Sequence, residues 1–210
     1  MSIAIGEPDL SFGEAAAEHQ IQAAATALKG RNVSVHVVDT VSDARALTRD
    51  VLPADEEIFT ASSQTLEVSG ILADIDGSGG FQSLRTTRLA GLEPWSVEAR
   101  RIGATPDVVI GSAHALTEDG QIVVASASGS QLSAYAAGAS KVFLVMGAQK
   151  VVPDLVTAFR RIETYALPLE NQRMLEMSGQ PSLIGKLLIL RQEVIPGRTT
   201  VIITREPVGY

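Results

Sequence analysis

Asp107-Val108-Val109-Ile110-Gly111-Ser112-Ala113-His114-Ala115-Leu116-Thr117-Glu118-Asp119-Gly120-Gln121-Ile122-Val123-Val124 decides the fold. In Asp107 to Ile110 one acid is followed by a short apolar, β-branched run, Val108-Val109-Ile110, the pattern of a buried strand. Gln121 to Val124 is another, and the acidic turn before it ends in Gly120, which takes the positive φ such a turn needs. Ser126-Ala127-Ser128-Gly129-Ser130-Gln131 then opens a helix. Strand, acidic turn, strand and Ser/Gly-rich helix start follow one another closely. In an α/β protein they place acid/base groups and anion-binding amides at one edge of one sheet.

Working outward, Lys141 to Met146 is a near-continuous apolar run, as suits a central strand covered on both faces. Val33 to Val38 is a strand with Val33, Val35 and Val37 on one face. Ile58 to Thr60, Leu187 to Leu190 and Thr199 to Thr204 complete the strands. Helices are expected between them. Ser11 to Lys29 is capped by Ser11 with Glu14 three residues on, and Gly30 stops it. Ser42 to Val51 is ended by Pro53. Another follows Thr65 and carries Leu66, Ile71 and Leu72. Pro94 to Gly103 is a helix, as is Gln131 to Ala137, closed by a left-handed Gly138. Pro153 to Ala166 has Pro in the first turn and Leu155, Phe159, Ile162 and Tyr165 on one stripe. Asp74 to Gly80 reads as a polar, Gly-rich loop. Strands alternating with helices imply βαβ units, hence a three-layer α/β fold with a mainly parallel sheet flanked by helices.

The 210 residues, 45% hydrophobic and 20% charged, suffice for one sizeable core and are short for two. Residues 1–210 are therefore read as a single domain, with 1–10 a flexible N-terminus. A net charge of -7 without a basic cluster argues against nucleic-acid binding. The pairs Arg100-Arg101 and Arg160-Arg161 read as solvated helix faces. Without cysteine the chain can form no disulfide, thiolate zinc site, Cys-ligated iron–sulfur cluster or Cys nucleophile. No secretory signal pattern and no apolar run of bilayer length is present, so the expected location is cytoplasmic, away from membranes.

Ligands of open α/β sheets bind beyond the carboxyl ends of the strands. Three polar segments are candidates. Ser62, Ser63 and Thr65 precede a helix and could hold an anion with backbone amides, or simply cap it. Ser128, Gly129, Ser130 and Gln131 offer the same choice, with Gly129 allowing close approach of a ligand. His114, with Glu118 and Asp119, could do acid/base work, or the acids could be an ordinary turn. Lys150 and Arg198 are candidate cations for an anionic ligand or plain surface charges. His19 and His36 are too scattered from His114 to form a metal site, and no metal is expected. Neither a nucleophile elbow nor a dinucleotide fingerprint occurs.

His114-Ala115-Leu116-Thr117-Glu118-Asp119-Gly120, Gly129-Ser130-Gln131-Leu132 and Gly147-Ala148-Gln149-Lys150-Val151-Val152-Pro153-Asp154-Leu155 together resemble the LUD (lactate utilisation) domain family, in particular its lactate utilisation protein C-like members. Ser62-Ser63-Gln64-Thr65-Leu66-Glu67 and Pro196-Gly197-Arg198-Thr199-Thr200-Val201 extend the likeness over nearly all of the chain after residue 20. Many members carry Asn at the position of His114 and Cys motifs near the C-terminus, which this chain lacks. The resemblance implies a fold similar to ribose-5-phosphate isomerase and CoA-transferase proteins. In that superfamily a Ser/Thr-rich loop such as Thr60 to Thr65 holds phosphate, and Thr117-Glu118-Asp119-Gly120 resembles the motif carrying a nucleophilic Glu. Two functions follow from it. One is a cluster-free component of lactate (2-hydroxy acid) utilisation that binds a small anion beside an iron–sulfur partner protein. The other is an isomerase- or transferase-type enzyme acting through Glu118 on a phosphorylated or CoA-linked substrate.

Overall fold

The computed structural model describes residues 6–77, 79–94 and 96–210. Its strands are β1 (Ser34–Val38), β2 (Glu57–Thr60), β3 (Gln82–Ser83), β4 (Val108–Gly111), β5 (Ala115–Thr117), β6 (Ile122–Ser126), β7 (Lys141–Gly147), β8 (Val151–Val152), β9 (Lys186–Leu190) and β10 (Thr199–Thr204). Its helices are α1 (Glu18–Lys29), α2 (Val41–Val51), α3 (Gln64–Val68), α4 (Ile71–Gly77), α5 (Val97–Ala104), α6 (Leu155–Arg161) and α7 (Leu167–Ser178).

The strands form two sheets. The larger is wholly parallel, in the order β1-β10-β7-β4-β2-β3, so the apolar strand β7 is interior as its sequence requires. Alternate residues of each strand point to opposite faces. Ile58, Val108, Ile110, Phe143, Val145 and Ile202 pack under α2, α3 and α4. Val109, Val142, Leu144, Met146, Val201 and Ile203 face the other way, onto α1 and the second sheet. That second sheet, β8-β5-β6-β9, is mixed. Leu116, Ile122 and Val124 enter the shared core, while Ala115, Val123 and Ala125 pack beneath Ala158, Ile162 and Tyr165. The expected α/β fold with a mainly parallel sheet is therefore present, with an extra small sheet and helix layer. Its short strands β5 and β8 escape a period-two reading.

Several boundaries differ from the sequence expectation. Helix α1 starts at Glu18 rather than Ser11, because the Ser11 hydroxyl donates to Asp9 (2.6 Å) and Phe12 tucks into the core under the second sheet. Gln20 accepts from the Ala17 N–H (3.1 Å) and closes the first turn of α1 instead. The Asp74–Gly80 loop is helical through Gly77: Ile75 is buried, and Asp74 is held by a two-point ion pair with Arg45 (2.6 Å each). Ser78 of that loop, Trp95 of the 94–103 helix and residues 1–5 of the N-terminus lie outside the described residues. The 131–137 helix is mostly a π-turn, Ala134–Gly138. Gly138 is required there by crowding rather than by a left-handed φ, since a Cβ would sit 1.7 Å from the Ala104 carbonyl. The helix expected over 153–166 is capped by Asp154, not opened by Pro153, and does not stop at Ala166. After a π-turn at Ile162–Ala166 it continues as α7 to Gly179 (φ 70°). Pro168 is tolerated because the π-turn has already displaced the hydrogen-bond ladder that its missing N–H would interrupt.

Candidate functional site

Two neighbouring strands of the parallel sheet, β4 and β7, each continue into the second sheet. β4 passes through Ser112-Ala113-His114 into β5, and β7 passes through the 3-10 turn Ala148–Lys150 into β8. Because β4 and β7 are paired, and β5 and β8 are paired, the two crossings run side by side. They form a crease between the sheets, at the carboxyl end of the parallel one. A cavity of about 620 Å³ opens there, walled by the Ser62–Gln64 and Ser126–Gln131 loops and by the α6–α7 helix.

Lys150 lies on the crease with 1% of its surface exposed. Its Nζ donates to Thr65 Oγ1 (2.9 Å) and Ser112 Oγ (3.0 Å), which ties the crossings to the start of α3. Arg161, wholly buried, donates to the carbonyls of Gln149 (3.0 Å) and His114 (2.5 Å), one from each crossing. Its second terminal nitrogen has no hydrogen-bond partner among the described residues. Neither cation takes part in any of the ion pairs among the described residues. Burial, and then the charge of Arg161, push the Lys150 ammonium well below its ordinary range. Burial lowers Arg161 to about 10, so the guanidinium keeps its charge at neutral pH. His114 is brought down to about 3, first by burial and then by Lys150 and Arg161, and stays neutral. Its Nδ1 accepts from the Ala125 N–H (3.2 Å), so its proton is on Nε2. With Nδ1 engaged by the backbone, the neutral imidazole keeps one N–H, on Nε2, to donate.

The structure divides the sequence candidates. Ser62, Ser63, His114, Ser128, Ser130, Gln131 and Lys150 line the cavity, and Thr65 grips Lys150 from behind. Some of these side chains also serve the loops: Ser63 caps α3, and Ser128 accepts from the Ser130 N–H. Gly129, at φ 85°, is closed over by β9, where a Cβ would meet Lys186 at 2.7 Å. Glu118 and Asp119 are not brought to the cavity. They form the turn of the β5–β6 hairpin, whose open end carries His114 and Ser126, so the length of β5, roughly 10 Å, separates them from it. Glu118 accepts from Gln20 Nε2 (2.8 Å), and Asp119 from Thr117 Oγ1 and Gln121, beside Arg31. Gly120 has the positive φ expected of it, 84°. Arg198 is a structural tie, donating to the carbonyls of Ala134, Tyr135 and Ala139 and to Glu193. Among the described residues no group of acids and histidines could hold a metal.

Arg161 corrects the reading of Arg160-Arg161 as a solvated face. Ala158, Arg161 and Tyr165 recur at three- and four-residue spacing on the buried stripe, a periodicity that marks Arg161, unlike its neighbour, as inward-facing. Arg85 also reaches the cavity, donating to the Thr60 carbonyl (2.8 Å) and Ser62 Oγ (3.3 Å). On the far wall Arg173 pairs with Glu170 (2.6 Å), which also accepts from the Tyr210 hydroxyl. In the sequence Glu170 and Arg173 are legible only as an i,i+3 pair on a helix; that they and Arg85 face one cavity is set by tertiary packing.

The LUD domain model matches residues 21–204. The chain belongs to the LUD domain family. Its fold resembles the crystal structure of a DUF162 family protein from Deinococcus radiodurans, with a TM-score of 0.52 and 12% identity, covering 88% of this chain and 96% of that one. No curated protein matches. The matched span contains both crossings of this LUD domain, and thus Ser112, His114 and Lys150. No helix among the described residues is long and apolar enough to cross a membrane.

Proposed function

We propose that this LUD-domain chain is a cluster-free component of lactate (2-hydroxy acid) utilisation that binds a small carboxylate in the crease cavity. One observation carries the reading: Lys150, on the cavity wall, and Arg161 are buried at the crease without a carboxylate partner among the described residues. A buried cation without a counter-charge costs several kcal/mol, and an anionic ligand offsets that cost. His114 Nε2–H and the serine hydroxyls of the cavity wall supply neutral donors. Because the chain has no cysteine, the clusters of such a system would belong to a partner protein. The isomerase- or transferase-type reading draws on Glu118, whose contact with Gln20 outside the cavity does not favour it.

Ligand stabilisation tests the proposal. At a hundredfold excess over Kd a native-state ligand adds about 2.7 kcal/mol, or roughly 5–10 °C in Tm for a chain of this size. Lactate or pyruvate is expected to give such a shift, and Lys150→Met to abolish it. A shift from sugar phosphates or CoA esters alone, or one that survives Lys150→Met, would sink the reading.

A further inference from the structure

We infer that Lys150 is a carbonyl-capturing amine, which condenses with a 2-oxo acid in the crease cavity to form an imine. The inference rests on the carboxylate-binding reading and goes beyond it to a covalent step. Around Nζ three of the four positions are settled: Cε, the hydrogen donated to Thr65 Oγ1 and the hydrogen donated to Ser112 Oγ. With burial, with two neutral hydroxyls as its acceptors and no carboxylate among the described residues to hold it, and with Arg161 opposing it, the ammonium readily gives up its remaining proton and frees a lone pair at the fourth position. A desolvated lysine beside another cation is the established recipe for an amine nucleophile at neutral pH. Arg161, whose own charge persists, still attracts the ligand's carboxylate after Lys150 has become neutral. His114 offers a neutral Nε2–H at the same cavity to polarise the carbonyl oxygen.

The condensation needs no oxidant or reductant. The Nζ lone pair bonds to C2 of the oxo acid while the carbonyl π electrons move to oxygen. The nitrogen loses a proton and the oxygen gains one, giving a carbinolamine. The C–O bond then breaks, and the hydroxyl leaves with the remaining nitrogen-borne proton as water, leaving C=N. Hydrolysis by the reverse path releases the acid. A 2-hydroxy acid has no carbonyl at C2 and binds without condensing. The site thereby separates the oxidised from the reduced member of a lactate–pyruvate type pair.

Reductive trapping tests the imine directly. The full chain is incubated with pyruvate and sodium cyanoborohydride, weighed intact, and peptide-mapped across Lys29, Lys141, Lys150 and Lys186. A single adduct on Lys150 is expected, absent with lactate and absent in Lys150→Arg. Its rate should fall less steeply as pH is lowered than that of an ordinary lysine, whose free amine drops about tenfold per unit. If Lys150→Arg does not fold, the mapped wild-type adduct against the lactate arm makes the same distinction. No adduct, or label spread over Lys29, Lys141 and Lys186, overturns the inference. A pyruvate thermal shift without an adduct overturns the imine and leaves carboxylate binding standing; absence of both defeats both.

Discussion

Arg161 is the residue on which the crease depends. Its fork joins the Gln149 carbonyl of one crossing to the His114 carbonyl of the other. Replacing it by leucine leaves both acceptors buried and unpaired, at about 1–3 kcal/mol each. Arg161→Leu should therefore lower urea stability by about 2–5 kcal/mol, whereas Arg160→Leu should change it by less than about 0.5 kcal/mol. His114 makes a separate prediction. Its folded value, about 3, lies below the 6.5 of the unfolded chain, so the unfolded state binds the extra proton between them. Stability must then fall as pH drops through 6.5 towards 3, by up to about 3 kcal/mol at pH 4. His114→Asn, whose Oδ1 can still accept from Ala125, should flatten that limb of a pH–stability profile. At this scale the sequence was half legible. His114 and Lys150 stand in an unusual local pattern, but Arg161 hides beside an exposed twin, and only its place on the apolar stripe distinguishes it.

Elements were legible where they are long. β7 and β10 announce themselves by continuous apolar runs, because both faces are covered. β5 and β8, three and two residues long, offer no period to read, so the second sheet emerges only from tertiary pairing. The same gap leaves the acidic turn open to two readings: with β5 too short to read, a strand-end site and a plain turn look alike, and only the pairing of β5 with β6 sets Glu118 at the opposite end of a hairpin from His114. The fit between β4 and the π-turn can be tested directly. At Gly111 a Cβ would stand 1.7 Å from the Tyr135 hydroxyl oxygen. Gly111→Ala should cost about 2 kcal/mol through overpacking. Adding Tyr135→Phe, which deletes that oxygen, should recover part of the loss in a double-mutant cycle.

Across the whole molecule, the last residues are strapped beside the cavity, chiefly by Gln149 with Thr65, whose hydroxyl donates to the Val208 carbonyl (3.3 Å). Gln149 donates to the carbonyls of Val208 (3.0 Å) and Gly209 (2.9 Å) and accepts from the Val208 N–H (3.3 Å). This seats Tyr210 on the cavity wall beside Glu170. Gln149→Ala should raise hydrogen exchange at Val208 toward that of an open segment while leaving β7 and β10 protected; unchanged exchange at Val208 would count against the strap. The crease has a consequence for how the domain comes apart. Each sheet has an outer cluster of its own, and the strands run from one to the other through the two crossings that Lys150 and Arg161 pin together. A molecule seated on that line works as a rivet between two plates. With the rivet in, the plates should melt in one sharp calorimetric step; with it out, and Arg161 removed as well, the trace should broaden as the smaller plate lets go first.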